Sequence, residues 1–255
     1  GIGPSLYIIQ ESDFRTLSLS NLLMKYADDT NLLVPCCTDV EIDQEFLNVQ
    51  DWAKRNKMTL NLTKTKEIIF RRPSARRSLV LPPLLPLVER VRSAKLLGVF
   101  ITDTLKFNEH VNYVLKQSCQ RLYLLKLLRA QGLPLHQLHT VCVAMLISRI
   151  TYAICAWGGF CAAADVNRIN SFLKRLVKYG YMSTVVDFQF YLNQADTRLF
   201  KSITRSNVHC LQTLLPALKP TAGRELRKRN HMYTLPAFRY ELFRKSFLLR
   251  CLYSS

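Results

Sequence analysis

Acid is nearly missing from most of this chain. Residues 71–255 carry 29 Lys/Arg against 8 Asp/Glu, whereas residues 1–70 carry 7 against 10, so the net charge of +18 is +21 in the longer C-terminal part offset by −3 before it. A surplus of that kind suits a protein that grips a polyanion; a generally basic, solvated surface accounts for the charge alone equally well. Also missing is any Cys-x-x-Cys pair among the 8 cysteines. Adjacent Cys36 and Cys37 are badly placed to bridge each other, and most of the rest fall in apolar helical pattern. Free thiols in a reducing compartment are the expectation. His136 and His139 on one helix face, or Cys155, Cys161, His209 and Cys210 drawn together, have no recognised ligand spacing, which favours structural or surface roles over zinc. No basic-then-apolar leader pattern opens the chain, and its greasiest region, 141–154, is interrupted by Ser148 and Arg149, too short and too polar to span a bilayer. These absences point to a soluble intracellular protein, nuclear or cytoplasmic, with no membrane partner. The start at Gly1-Ile2-Gly3-Pro4 reads as a cut from something longer.

What is present is enough apolar residue, 49% of 255, to bury a real core in one large or two small domains. The stretch that organises it runs from Leu22 to Val34. Two apolar runs, Leu22-Leu23-Met24-Lys25-Tyr26 and Thr30-Asn31-Leu32-Leu33-Val34, are joined through Ala27-Asp28-Asp29. That pattern predicts a β-hairpin whose turn pushes both carboxylates out of the sheet. Adjacent carboxylates repel, so a fold that holds them together suits a cation. Magnesium fits best, since it takes one or two carboxylates and leaves its other positions to water and phosphates. An ordinary solvated turn is the plain alternative for an isolated Asp-Asp.

Around the hairpin, Thr38-Asp39-Val40-Glu41 has the form of a capping box, followed by Ile42, Phe46, Val49 and Ala53 at helical spacing with Trp52 on the same side. Met58 to Leu62 and Glu67 to Phe70 read as short strands about a Thr63-Lys64-Thr65-Lys66 turn. Arg71 to Ser78 and the proline-rich Leu81 to Pro86 read as extended surface connection. Ser93 to Ile101 reads as a strand with Gly98 inside it, where glycine permits close backbone approach. Beyond Asn108 the pattern is helical: one helix to about Ala130, ended by Gly132 and Pro134, a second over roughly Leu135 to Cys155, and a third ending at Gly180. The third has Val166, Ile169, Phe172, Leu173, Leu176 and Val177 on one face and Arg168, Lys174, Arg175 and Lys178 on its flanks.

Four ordered segments, the Gly-Pro entry into an apolar run, the Lys25-Tyr26-Ala27-Asp28-Asp29-Thr30 hairpin, the Trp52 helix leading to Leu60-Asn61 and Lys64-Thr65-Lys66, and the Leu97-Gly98 strand, resemble the reverse transcriptases of animal retrotransposons that lack long terminal repeats. The similarity covers residues 1–112 and is looser beyond, where Tyr152 to Gly159 and Tyr240 to Phe247 resemble runs of the same elements. The resemblance implies an α+β fold: the C-terminal part of a polymerase palm, an antiparallel hairpin sheet with packed helices, followed by a mainly α-helical thumb and C-terminal region. The divisions are 1–104, beginning inside motif B and holding motifs C, D and E; 105–180, thumb-like; and 181–255, basic and mostly helical.

It implies nucleotidyl transfer with two Mg2+ ions, Asp28 the more direct ligand with Asp29 beside it, and Lys64 protonating the departing pyrophosphate. Tyr26, Ala27, Lys66, Leu97 and Gly98 would serve primer and nucleotide. The partners implied are an RNA template, a DNA primer, deoxynucleoside triphosphates and the N-terminal half of the enzyme. That half would bring another metal-binding aspartate and the fingers; Glu11 and Asp13, between loop and hairpin, sit in the wrong place for that role. The isolated chain is therefore expected to be inactive. A non-catalytic, basic nucleic-acid-binding remnant or accessory module is the alternative function, and a purely structural helical protein a third.

Overall fold

A computed structural model describes residue 6 and residues 9–72, 81–219 and 231–253. The fold is mixed α/β, with short two-stranded pairings and a predominance of helix. The described residues fall into two compact units: those through Ile69 together with 81–91, and 70–72 together with those from Arg92 onward.

In the first unit, β1 (Leu22–Tyr26) and β2 (Asp29–Leu33) form the expected antiparallel hairpin, with Leu22 opposite Leu33 and Tyr26 opposite Asp29. Leu23, on one face, packs with the cluster of Phe14, Trp52 and Ala53. Successive strand residues face opposite ways, so Leu22, Met24 and Tyr26 share the other face, and all three are exposed. Helix α1 (Ile42–Arg55) buries Phe46, Trp52 and Ala53, as its apolar spacing dictates. Phe46 packs with Leu85 and Val88, so the proline-rich connection contributes to the core. Trp52 stacks on Phe14 with centroids 4.2 Å apart and donates Nε1–H to Asp13 Oδ1 at 3.0 Å.

The capping box does not form. Thr38 spends its hydroxyl on Asn21 Oδ1 (2.8 Å) and Val40 O, and the helix opens at Glu41 with no side-chain cap. Nor is 58–62 a strand. Asn61 organises a turn there, its Oδ1 accepting from Thr63 Oγ1 and Lys64 N and its backbone oxygen from Thr65 N. Only β3 (Lys66–Glu67) is extended enough to pair, in parallel, with β4 (Glu89–Arg90).

The second unit begins with β5 (Ser93–Leu96) and β6 (Val99–Thr102), paired antiparallel with Leu96 opposite Val99. Gly98 is therefore not inside a strand. Leu97 (φ 44°) and Gly98 (φ 87°) are the two turn residues, both left-handed, as a type I′ hairpin requires. Helix α2 (Asn108–Ala130) ends where expected: Gly132 (φ 86°) lets its own N–H reach Arg129 O and that of Leu133 reach Leu128 O, the Schellman pattern.

Residues 135–160 do not form one helix to Cys155. They comprise α3 (Leu135–Cys142), a π turn (Val143–Ile147), α4 (Ser148–Thr151), a left-handed Ala153, α5 (Ile154–Trp157) and a 3-10 turn (Gly158–Phe160). Leu138, Cys142, Leu146, Ile150 and Ile154 are buried at every fourth position. On a straight α-helix that row drifts about 40° per repeat, and the wider π turn takes up part of the drift. By length and composition alone, at mean hydropathy 1.6, this stretch is long and apolar enough to cross a membrane, further than its 141–154 segment suggested. Here its apolar row forms the core of the helical unit with Val111, Leu125, Ile169, Phe172 and Phe188.

Helix α6 (Ala163–Lys178) repeats the Schellman ending at Gly180. Helix α7 (Phe188–Arg205) carries an Asp187 cap on Phe190 N at 2.7 Å. The short α8 (Glu241–Arg244) and α9 (Phe247–Tyr253) follow. Arg250 on α9 pairs with Asp196 on α7 (2.9 and 3.0 Å) and donates to Cys155 O (3.0 Å). Gly158 and Gly159 make this closure possible. A Cβ on Gly158 would sit 2.9 Å from Leu192 Cδ1, and one on Gly159 would overlap the Arg250 guanidinium. The basic runs at 73–78 and 224–230 and the Gly-Pro start lie outside the described residues.

Candidate functional site

The hairpin tip is built by register. Because Tyr26 pairs directly with Asp29, the turn consists of Ala27 and Asp28 alone, with Ala27 at φ 51°. Directly opposed residues share a face, so Asp29 emerges beside Tyr26 on the exposed side, with Asp28 at the apex. Both carboxylates are exposed, and neither has a side-chain hydrogen bond or ion pair among the described residues. Two neighbouring carboxylates open to solvent are a partial donor set of the kind magnesium uses. Among the described residues no group of three or more His, Cys, Asp or Glu stands ready to hold a metal, so the tip supplies two ligands and no third. The zinc alternatives at His136/His139 and at Cys155, Cys161, His209 and Cys210 fall under the same finding.

The base beneath the tip is more elaborate than its sequence suggested. Lys25 is turned away from the carboxylates: its Nζ donates to Glu11 O and to Phe14 O (3.3 Å) and lies 5.5 Å from the Phe14 centroid. Asn21, one residue before β1, is held by Glu45, which is fully buried. The Glu45 carboxylate accepts from Leu17 N (3.0 Å), Ser18 N (2.9 Å) and Asn21 Nδ2 (2.8 Å). Burial alone would raise its pKa, but the hydrogen bonds, led by that from Ser18 N, outweigh it and leave the carboxyl below its ordinary value. An acid in the first turn of an amphipathic helix, where acids are common, gave no sequence signal for this long-range clamp.

Lys64 is exposed in the Asn61 turn, and Lys66 is paired with Glu89. No hydrogen bond or ion pair among the described residues joins either lysine to Asp28 or Asp29. Leu97 and Gly98 occupy the second unit, at a turn clasped from outside: Tyr152 Oη donates to Leu97 O (2.9 Å), and a Cβ on Gly98 would lie 3.2 Å from the same ring. Beside that turn, Lys95 donates to Tyr113 Oη (3.2 Å) and lies 5.7 Å from the Phe100 centroid. The lysine bond pulls the Tyr113 pKa down. Behind it His110 is buried against Trp157, centroids 4.8 Å apart. Burial, with help from the Lys95 charge, lowers its pKa to about 4.

The basic flank of α6 is as expected: Arg168, Lys174, Arg175 and Lys178 are all exposed. Arg168 is fixed by Asp165 (3.0 Å) and Asn112 (2.7 Å), so with Asn167, Ser171, Arg175 and Leu115 of α2 it lines a shallow cleft between the two helices. Cations held at a helix surface can contact phosphate oxygens with no demand on base sequence.

No family model, curated protein or solved structure matches this chain. The residues themselves therefore carry the functional argument.

Proposed function

We propose that this chain is the C-terminal palm, thumb and tail region of a retrotransposon reverse transcriptase, contributing half of a site for magnesium-dependent nucleotidyl transfer. The observation that carries the reading is the tip itself: a two-residue turn bearing adjacent, exposed carboxylates on a hairpin whose other face is anchored to a tryptophan helix. Asp28 and Asp29 are the residues that would hold Mg2+. Bound there, the metal would supply a lowered pKa at the primer 3′-hydroxyl and neutralise the triphosphate and leaving pyrophosphate. Tyr26, exposed beside Asp29, offers a ring face to the primer end, and Ala27 keeps the apex narrow. Lys64, on a mobile-length side chain in an exposed turn of the same unit, is the proton donor in this reading, and Lys66 a nucleotide contact. Leu97 and Gly98 would hold the primer, with α6 gripping the duplex.

A second reading, a non-catalytic nucleic-acid-binding module, draws support from the two-ligand donor set and the exposed basic flank of α6. Single-nucleotide primer extension on an RNA template with magnesium separates the two. The comparison is this chain, its Asp28→Asn variant and a longer chain carrying an upstream aspartate-bearing strand. Extension by the longer chain alone, lost with Asp28→Asn, supports the polymerase reading. Salt-sensitive duplex binding with no extension by either chain leaves the binding module and refutes the catalytic assignment.

A further inference from the structure

The turn that follows β2 places two thiols side by side in solvent. Cys36 and Cys37 are both exposed, with sulfurs 3.7 Å apart. Their segment is fixed at both ends. Upstream it leaves β2 after Leu33, with Pro35 setting its own φ. Downstream, Thr38 is bonded to Asn21 and Asn21 Nδ2 to Val40 O (2.9 Å), inside the Glu45 clamp. The pair therefore does not drift apart as two cysteines in a free loop would.

A direct disulfide suits this pair poorly. Consecutive Cα atoms are about 3.8 Å apart, shorter than the roughly 4.4–6.8 Å that an unstrained disulfide spans, and the S–S bond of about 2.05 Å would pull the sulfurs far inward. An atom set between the two sulfurs removes both demands, since it enlarges the ring and leaves the sulfurs near their present separation. Arsenic(III) is thiophilic and pyramidal, so it can bond two sulfurs at this spacing while keeping one organic substituent, and it needs no third protein ligand.

We propose that Cys36 and Cys37 form a vicinal dithiol site that captures trivalent arsenicals as a cyclic dithioarsinite. With an organoarsenic(III) oxide, two As–S bonds form while both S–H bonds and the arsenic–oxygen bond break. The two protons and the oxygen leave as water, and neither arsenic nor sulfur changes oxidation state. The hydrogen bond with Cys36 raises the Cys37 pKa, so the Cys37 sulfur brings one of the protons that leave in the water. The remaining exposed thiols, Cys119 and Cys210, have no cysteine beside them in the sequence, so neither belongs to a vicinal pair. Cys142 and Cys251 are buried, and burial raises both thiols, Cys142 to about 11 and Cys251 to about 12. The site stands whether or not the neighbouring hairpin is catalytic.

The test is stoichiometric phenylarsine oxide added to the reduced full chain, read by intact mass, peptide mapping and challenge with excess monothiol or with 2,3-dimercaptopropanol. One adduct per chain is expected on the peptide holding Cys36 and Cys37, resistant to monothiol and stripped by the dithiol. Cys36→Ser and Cys37→Ser, both at exposed positions and checked for fold by circular dichroism, should each lower retention under monothiol by roughly tenfold or more, the loss of a chelate. Retention unchanged in either variant, or an adduct mapping to any other cysteine, overturns the assignment.

Discussion

Glu45→Gln should release the loop that feeds the candidate hairpin. The carboxylate is fully buried and accepts from three donors, Leu17 N, Ser18 N and Asn21 Nδ2. Glutamine keeps the side chain's volume but replaces one acceptor oxygen with an N–H₂ group facing those donors. At least one buried donor then loses its partner at about 1–3 kcal/mol, and the remaining bonds lose their ionic component, for a total of about 2–4 kcal/mol in the N-terminal unit. Amide hydrogen exchange reads this directly: the Leu17 and Ser18 amides should exchange about 30-fold faster or more, at about 1.4 kcal/mol per decade. The pH dependence adds a second signature. The folded pKa of Glu45 is depressed, so its stabilisation is complete above the ordinary glutamate value of about 4.3 and is lost as pH falls through the lower folded value. Glu45→Gln should lack that acid-side decline. Wild-type exchange rates at Leu17 and Ser18 in the variant, or a wild-type unit that grows more stable on acidification below pH 4, would refute the reasoning.

Buried His110, with its pKa lowered to about 4, binds a proton in the unfolded chain before it does so in the folded one, so the helical unit should lose about 3 kcal/mol as pH falls from about 6.5 to 4. His110→Gln should flatten that slope in urea melts followed by helical circular dichroism. Gly159→Ala drives a methyl into the Arg250 guanidinium, and breaking its pairing with Asp196 should cost about 3–5 kcal/mol, seen as a lower urea midpoint. Replacing Lys174, Arg175 and Lys178 with Gln should weaken binding to a DNA or RNA duplex of any sequence and reduce the slope of log affinity against log salt by about 2–3, measured by fluorescence anisotropy. Leu97→Asn converts the β5–β6 turn to the preferred Asn-Gly pair and should stabilise the helical unit by about 0.5–1 kcal/mol; if Leu97 also contacts primer, binding falls while the midpoint rises.

What was legible in the sequence was local and periodic. The hairpin at 22–33 followed from two apolar runs broken by small and acidic residues, α1 from its apolar spacing, and the ends of α2 and α6 from Gly132 and Gly180. Failures arose where a local pattern had a second physical use. Met58, Leu60 and Leu62 alternate as a strand would, but Met58 and Leu60 pack toward Trp52 and Leu62 toward Phe46, so two clusters about one helix satisfy the alternation without a ladder. Thr38 and Glu41 matched a capping box, yet the threonine hydroxyl found Asn21 instead. Gly98 read as a glycine inside one long strand because a Leu-Gly turn lacks the Asn or Asp that marks most type I′ hairpins. Contacts set by the tertiary fold, Glu45 to residues 17–21 and Arg250 to Asp196, left no mark on sequence spacing. From sequence the chain divided by inferred role at 104 and 180; compactness instead groups the described residues through Ile69 with 81–91, and 70–72 with those from Arg92 onward.

The two hairpins on which the functional reading rests share a feature with unequal explanations. Each turn forces a residue other than glycine into the left-handed region, Ala27 at φ 51° and Leu97 at φ 44°, at about 1–2 kcal/mol apiece. For Leu97 the fold supplies the compensation: Tyr152 donates to its carbonyl and lies against Gly98, and Trp157 Nε1 in turn donates to Tyr152 O at 2.9 Å. That turn is held whether or not anything binds it. At Ala27 no side chain among the described residues is hydrogen-bonded across the tip, and two like charges crowd the next two positions. A cation bound by the two carboxylates would relieve their repulsion and leave the Ala27 backbone strain in place. In the proposed reading Asp28 and Asp29 carry the chemistry, while the packing around Leu97 and Gly98 would hold their turn with or without a primer.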